Sequence, residues 1–176
     1  MGSAGRSGVR YLTDLFAVKL PAGRETRHGG NQRTGYHNDF TTWAVDRAGG
    51  LSIWIALADL TPDMGTLGFL SGSQRSGPLG SYRVLNGGDI TDVYPELTEY
   101  YPSSGPLAFK AGDAVVYSNL CVHGAAENRT DKPRWVYILS CNPADGRWNG
   151  AQGELFSSDG MRQFDVLQGE RFPVLA

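Results

Sequence analysis

Residues 112–140, "GDAVVYSNLCVHGAAENRTDKPRWVYILS", decide the reading of the fold. Two short apolar runs, 113–119 and 134–142, lie on either side of a polar segment that closes with "TDKP". Apolar runs of that length, bounded by Gly and Pro, read as β-strands. His123 stands just past the first strand and Arg134, eleven residues later, opens the second. With Arg134 on the inward face, the two-residue period sends Val136, Ile138 and Ser140 inward and Trp135, Tyr137 and Leu139 outward. If this strand runs antiparallel beside the one bearing His123, Arg134 lies deeper in a barrel than the histidine. An unpaired buried charge is very costly, so a buried arginine needs an anion, and its fork fits a carboxylate.

The same pattern extends along the chain. Segments 15–20, 51–59, 66–70 and 106–110 also read as strands, with Gly or Pro in nearly every gap. Glycine accounts for 24 of 176 residues, about twice the usual share of about 7%, which suits short strands and many turns. No window of a dozen residues carries a helical stripe, although 94–101 and 160–168 could each hold a short helix. The expected fold is mainly β, a two-sheet jelly-roll or cupin-like barrel with few short helices. At 176 residues it forms a single domain, 1–176, with residues 1–10 expected to be flexible. The interval 71–105 has no clear strand and is a candidate lid or substrate loop carrying Arg75, Tyr82, Arg83, Tyr94, Tyr100 and Tyr101; a solvated excursion is the alternative.

Charge excludes several classes of partner. The formal net charge is -2, from 16 basic and 18 acidic residues, and no long basic run is present, so neither nucleic acid nor an anionic membrane is the expected partner. No apolar run approaches the roughly 18 residues of a membrane span, and the opening "MGSAGRSG" lacks the apolar stretch of a secretory signal. A cytoplasmic protein acting on a small molecule is expected. Cys121 and Cys141 read as small core hydrophobes.

Of the three histidines, His28 lies in a polar loop, while His37 and His123 sit at strand ends. His37 is followed two residues later by Asp39, and in extended chain such positions share a face. Two histidines and one carboxylate on one face of a metal leave three coordination positions open, the pattern of non-haem Fe(II) oxygenases. His37, Asp39 and His123 could supply it. An arginine beneath such a metal is what a 2-oxoacid co-substrate requires, its keto-acid end on the metal and its far carboxylate on the guanidinium.

From about residue 15 to 142 the chain resembles the phytanoyl-CoA dioxygenase-like family of Fe(II)/2-oxoglutarate-dependent oxygenases. The resemblance is carried by "YHND" (36–39), "IWIALAD" (53–59), "GTLGFLSGSQ" (65–74), "GDAVVYSNLCVHG" (112–124) and "ENRTDKPR" (127–134), in the family's order and spacing. It implies a double-stranded β-helix with iron held by His37, Asp39 and His123, which are also the catalytic residues. It further implies that Arg134 binds the 2-oxoglutarate C5 carboxylate, with Thr130 and Asn128 shaping the same turn and Trp54 lining the co-substrate pocket. The implied reaction converts 2-oxoglutarate and O2 to succinate and CO2 while a small organic molecule is oxidised, most simply hydroxylated. Halogenating relatives carry Gly or Ala where this chain has Asp39, so the resemblance points to a hydroxylase. Some positions depart from the family: Ser71 and Gln74 replace a proline and a histidine, Ala125 stands where many members carry a serine, and Asn38 replaces a frequent Gln.

Family members usually carry an N-terminal helical region outside the larger sheet, and this chain begins just before the first barrel strand. With Trp54 inward, Ile53, Ile55 and Leu57 face outward, so together with Trp135, Tyr137 and Leu139 they form an apolar outer face. Such a face normally marks an interface. Either the C-terminal tail "FDVLQGERFPVLA" folds over it, or two chains pair through it as a homodimer. Two other functions stay open: a cupin-like non-oxidative metalloenzyme, and a catalytically inactive binding module.

Overall fold

The computed structural model describes residues 8–24, 26, 30–79, 88–151 and 160–175. Seven strands form two sheets: β1 (Val9–Lys19), β2 (Thr34–His37), β3 (Leu51–Ala56), β4 (Leu67–Phe69), β5 (Ala114–Ser118), β6 (His123–Ala125) and β7 (Arg134–Pro143). The larger sheet has the order β1-β7-β3-β5 and the smaller β2-β6-β4, all antiparallel. This is the expected double-stranded β-helix. Trp54, Ala56 and Val136 from the larger sheet pack with Leu67 and Ala125 from the smaller in one buried cluster, so the sheets close on each other.

Alternation along β7 follows the period-two expectation. Arg134, Val136 and Ser140 are buried, and Ile138 lines the interior cavity, whereas Trp135 is 40% exposed. One expectation is corrected: β7 does not lie beside the strand of His123. His123 sits on β6 in the smaller sheet, while β7 pairs with β1 and β3 in the larger. Arg134 and His123 therefore face each other across the barrel, because a β-helix sends consecutive strands to opposite sheets.

Several boundaries differ from the expectation. β1 starts at Val9, inside the segment expected to be flexible, because its polar half pairs with the end of β7 at Val9↔Pro143 and Arg10↔Asn142. Segment 106–110 contributes only a bridge, Leu60↔Phe109, and 160–168 forms turns and an Arg147↔Val166 bridge instead of a helix. Within 71–105 lie a 3-10 turn at Ser73–Ser76 and two one-turn helices, α1 (Ile90–Val93) and α2 (Leu97–Tyr100). Ile90 and Leu97 bury themselves with Leu70 and Val122, and Tyr94 and Tyr101 pack on that cluster. The described part of this interval is thus a packed flank of the barrel; Tyr82 and Arg83 lie outside the described residues.

The C-terminal tail does not cover the outer face. Tyr11 donates to the Pro173 carbonyl and Leu175 to that of Val9, so the tail pairs along the edge of β1. Phe172 enters a cluster with Leu12, Trp43 and Trp148. On the outer face Phe16 remains 63% and Val116 56% exposed, and Phe16 stacks obliquely on Trp135 and Tyr137. Among the described residues, no helix is long and apolar enough to cross a membrane.

Candidate metal centre and co-substrate pocket

The metal-binding candidates converge through strand register. His37 ends β2 and stands directly opposite His123 on β6, with ring centroids 4.3 Å apart. The β2–β6 register slips between Thr34 and His37, an irregularity of the kind that re-aims side chains beside active sites. Asp39 is no longer in the strand; it begins a 3-10 turn, Asp39–Thr41, capped by Asn38. Asn38 itself is extended (φ -112, ψ 148), so the shared face of positions 37 and 39 survives the strand's end. The Asn38 side chain accepts from the Thr41 backbone N–H and hydroxyl, which locks the turn that carries Asp39.

Asp39 Oδ1 lies 3.7 Å from Nε2 of each histidine. One ligand atom from each of the three residues falls within 4.8 Å of the others, a set that could hold a metal ion. The other ring nitrogens are engaged: His37 Nδ1 is 2.9 Å from the Gly35 carbonyl and His123 Nδ1 3.0 Å from that of Cys121. A carbonyl can only accept, so Nδ1 carries the proton in both rings and the Nε2 lone pairs are aimed inward. That is the outer-shell arrangement that orients metal-binding imidazoles.

A cavity of about 330 Å³ links these three residues to Arg134, with Trp54, Ala17 and Leu67 along its walls. Arg134 is 5% exposed, and its guanidinium lies over the Trp54 ring, 5.6 Å from the centroid. Burial pushes the guanidinium down to about 10. Its Nε has no hydrogen-bond partner, and among the described residues no carboxylate pairs with it. A buried, partly unsatisfied guanidinium fits the carboxylate of a small acid.

Lys19 was not anticipated. It stands opposite Arg134 in the β1–β7 register, is 5% exposed, and donates to the carbonyls of Gln32, Ala125 and Ala126. Burial and then the Arg134 charge push it down to about 8, against an opposing upward pull from Glu127. Its signal in the sequence is a lysine at inward parity inside "LFAVKL". Asn128 and Thr130 do not line the cavity. Asn128 Oδ1 accepts from the Thr130 N–H and hydroxyl, and its Nδ2 donates to the carbonyls of Lys19 and Lys132, so both brace the turn leading into β7. The rim arginines are also engaged: Arg33 pairs with Asp89, and Arg47 with Asp46 and Asp145. Among the described residues, none of 71–105 lines the cavity. His28 lies outside the described residues.

Comparison with known proteins identifies the family. The family model for phytanoyl-CoA dioxygenase (PhyH) matches residues 18–136, and the chain belongs to that family. Among solved structures it is similar to the non-heme alpha-ketoglutarate-dependent carbocyclase SnoK from nogalamycin biosynthesis, at 25% identity and TM-score 0.76, covering 96% of this chain and 63% of SnoK. It is also similar to the epimerase SnoN, solved with Fe3+, alpha-ketoglutarate and nogalamycin RO, at 22% identity and TM-score 0.76, covering 97% and 66%. EctD from S. alaskensis, solved with 2-oxoglutarate and 5-hydroxyectoine, matches at 23% identity and TM-score 0.62, covering 94% and 54%. The chain therefore spans less than two thirds of the length of each.

Burial, followed by the neighbouring His37, pushes the His123 imidazole down to about 4. The folded value lies below the ordinary one of about 6.5, so between the two the unfolded chain binds more protons and stability falls as pH falls. Metal-free protein is therefore expected to lose stability as pH falls from about 7 to about 5. Thermal melts across that range check it, and a midpoint that stays level contradicts the buried neutral imidazole.

Proposed function

We propose that this barrel is an Fe(II)/2-oxoglutarate-dependent dioxygenase that oxidises, most simply hydroxylates, a small organic molecule. One observation carries the reading: a single cavity is lined both by His37, Asp39 and His123 and by the buried Arg134. Iron, when bound with 2-oxoglutarate and O2, supplies the oxidising power, and 2-oxoglutarate leaves as succinate and CO2. The protein's own part is to bind, orient and exclude water. His37 and His123 offer Nε2 and Asp39 offers Oδ1, while Arg134 pairs with the C5 carboxylate of 2-oxoglutarate, a charge-assisted contact in a site shielded by Trp54. Lys19, opposite Arg134 in register, adds a second positive charge that favours a dianionic co-substrate.

Asp39 occupies the position that halogenating relatives leave to chloride, which favours oxygen transfer over halogenation. The likeness to a carbocyclase supports a second outcome, ring closure initiated by the same oxidation. A buried arginine lining the same cavity as the metal-ligand candidates argues against a non-oxidative metalloenzyme. Protein reconstituted anaerobically with Fe(II), then given 2-oxoglutarate and air, is expected to release succinate and consume oxygen slowly even without its true substrate. Asp39→Ala and His37→Ala should lose both. Metal binding without 2-oxoglutarate turnover in any condition would favour the non-oxidative or inactive reading.

The proposal extends to a homodimer through the outer face of the larger sheet. A two-fold pairing sets identical apolar patches against each other, covering Phe16, Trp135 and Val116 of both chains. Sedimentation should give a dimer that Phe16→Glu shifts to monomer; a monomeric wild-type protein contradicts the pairing.

A further inference from the structure

Asp39 has two carboxylate oxygens, and only one is shared with the histidines. Oδ1 lies 3.7 Å from Nε2 of both His37 and His123, whereas Oδ2 accepts a 2.5 Å hydrogen bond from Ser52 Oγ. Ser52 is fully buried as the second residue of β3. Its register partners are Tyr117 on β5 and Ser140 on β7, so three adjacent strands set a row of three hydroxyls on the inner wall. Tyr117 is the cross-strand neighbour of Ser52, and its own oxygen is 3.4 Å from His123 Nε2. A serine hydroxyl has one proton and two lone pairs. Ser52 gives its proton to Asp39, which leaves it as an acceptor, and the Tyr117 O–H is a donor at hand. Once His123 Nε2 holds a metal it cannot accept from Tyr117, which leaves the phenol O–H free to turn to its neighbour Ser52.

We infer that Ser52, backed by Tyr117, is a positioning residue that keeps Asp39 a one-oxygen metal ligand, with Oδ2 held against β3 and Oδ1 turned to the histidines. The inference rests on the metal-site reading above. Its consequence is a count of coordination positions. Two imidazoles and one carboxylate oxygen leave three of six positions open; a carboxylate free to rotate can bind through both oxygens and occupy a fourth. The position lost is one that co-substrate or oxygen needs. The fixed hydroxyl therefore guards the open face of the site, and does so from a strand that carries no ligand.

Co(II), a redox-silent stand-in, tests this in the full chain. Wild type, Ser52→Ala and Tyr117→Phe are titrated with Co(II) and then with 2-oxoglutarate, following the visible Co(II) absorption, whose intensity and shape report coordination number. Ser52→Ala is expected to bind Co(II) on the order of 10-fold more weakly, the usual size of an outer-shell effect. Its spectrum before 2-oxoglutarate should also differ from wild type, and Tyr117→Phe should shift it in the same direction by less. A Ser52→Ala protein with wild-type affinity and wild-type spectrum overturns the inference alone. A wild-type protein that binds no Co(II), or binds it undiminished after His37→Ala, overturns the metal-site reading and this inference with it. Melting temperatures near wild type for both variants exclude misfolding as the cause, and Tyr117→Phe supplies the spectral comparison if Ser52→Ala does not fold.

Discussion

The antiparallel register of β7 between β1 and β3 is the constraint on which the cavity depends. It places Arg134 opposite Lys19 and Val136 opposite Ala17 on one side, and Val136 opposite Ala56 and Ile138 opposite Trp54 on the other. A slip of one residue would turn Arg134 outward and bring Trp135 into the barrel. Apolar side chains at Val136, Ala56 and Trp54 resist that slip, because each is almost wholly buried where it stands. Two cations can then be held out of water on neighbouring strands. Burying them is costly, and the structure offsets part of the cost with three carbonyls on Lys19 and the Trp54 ring beneath Arg134.

The opposite end of the cavity is organised by backbone carbonyls and short turns. Gly35 and Cys121 carbonyls each take an Nδ1 proton, and each lies two residues before the histidine it orients. Such local bonds make the ring orientation a property of the strand end itself. Asp39 is held differently, by the cap that Asn38 places on its turn and by a hydroxyl reaching across from the larger sheet. The smaller sheet thus supplies the histidines, the turn after β2 supplies the carboxylate, and the larger sheet supplies the arginine and the serine behind Asp39. Closing the two sheets face to face is what makes one site of them, and a shift of one sheet against the other would separate ligand from co-substrate anchor.

Much of this was legible in the chain. Period-two alternation at 134–140 and 51–57 told inside from outside for Trp54, Arg134 and Val136, since burial on one face leaves little freedom in parity. The metal-ligand candidates that the fold brings together were legible because chemistry restricts them: few residue types bind iron, and the chain has three histidines. Short elements were harder to read. β6 has three residues, too few for a period to register, and is a strand only through its partners. The helix at 97–100 falls inside the expected 94–101, but the single turn at 90–93 was not legible, and the apolar residues of both fill a cluster with Leu70 and Val122, a contact that no local pattern announces.

The amino-acid sequence alone determined the fold class, the inward and outward faces of the long strands and the identity of the metal-ligand candidates. These depend on local alternation and on which side chains can do the chemistry. Tertiary structure alone decided that Arg134 faces His123 from the opposite sheet, that Lys19 joins Arg134, and that Asp39 meets Ser52. Each of these pairs residues from strands far apart in the chain, and their distance is set by sheet order and register, which arise only when the two sheets pack.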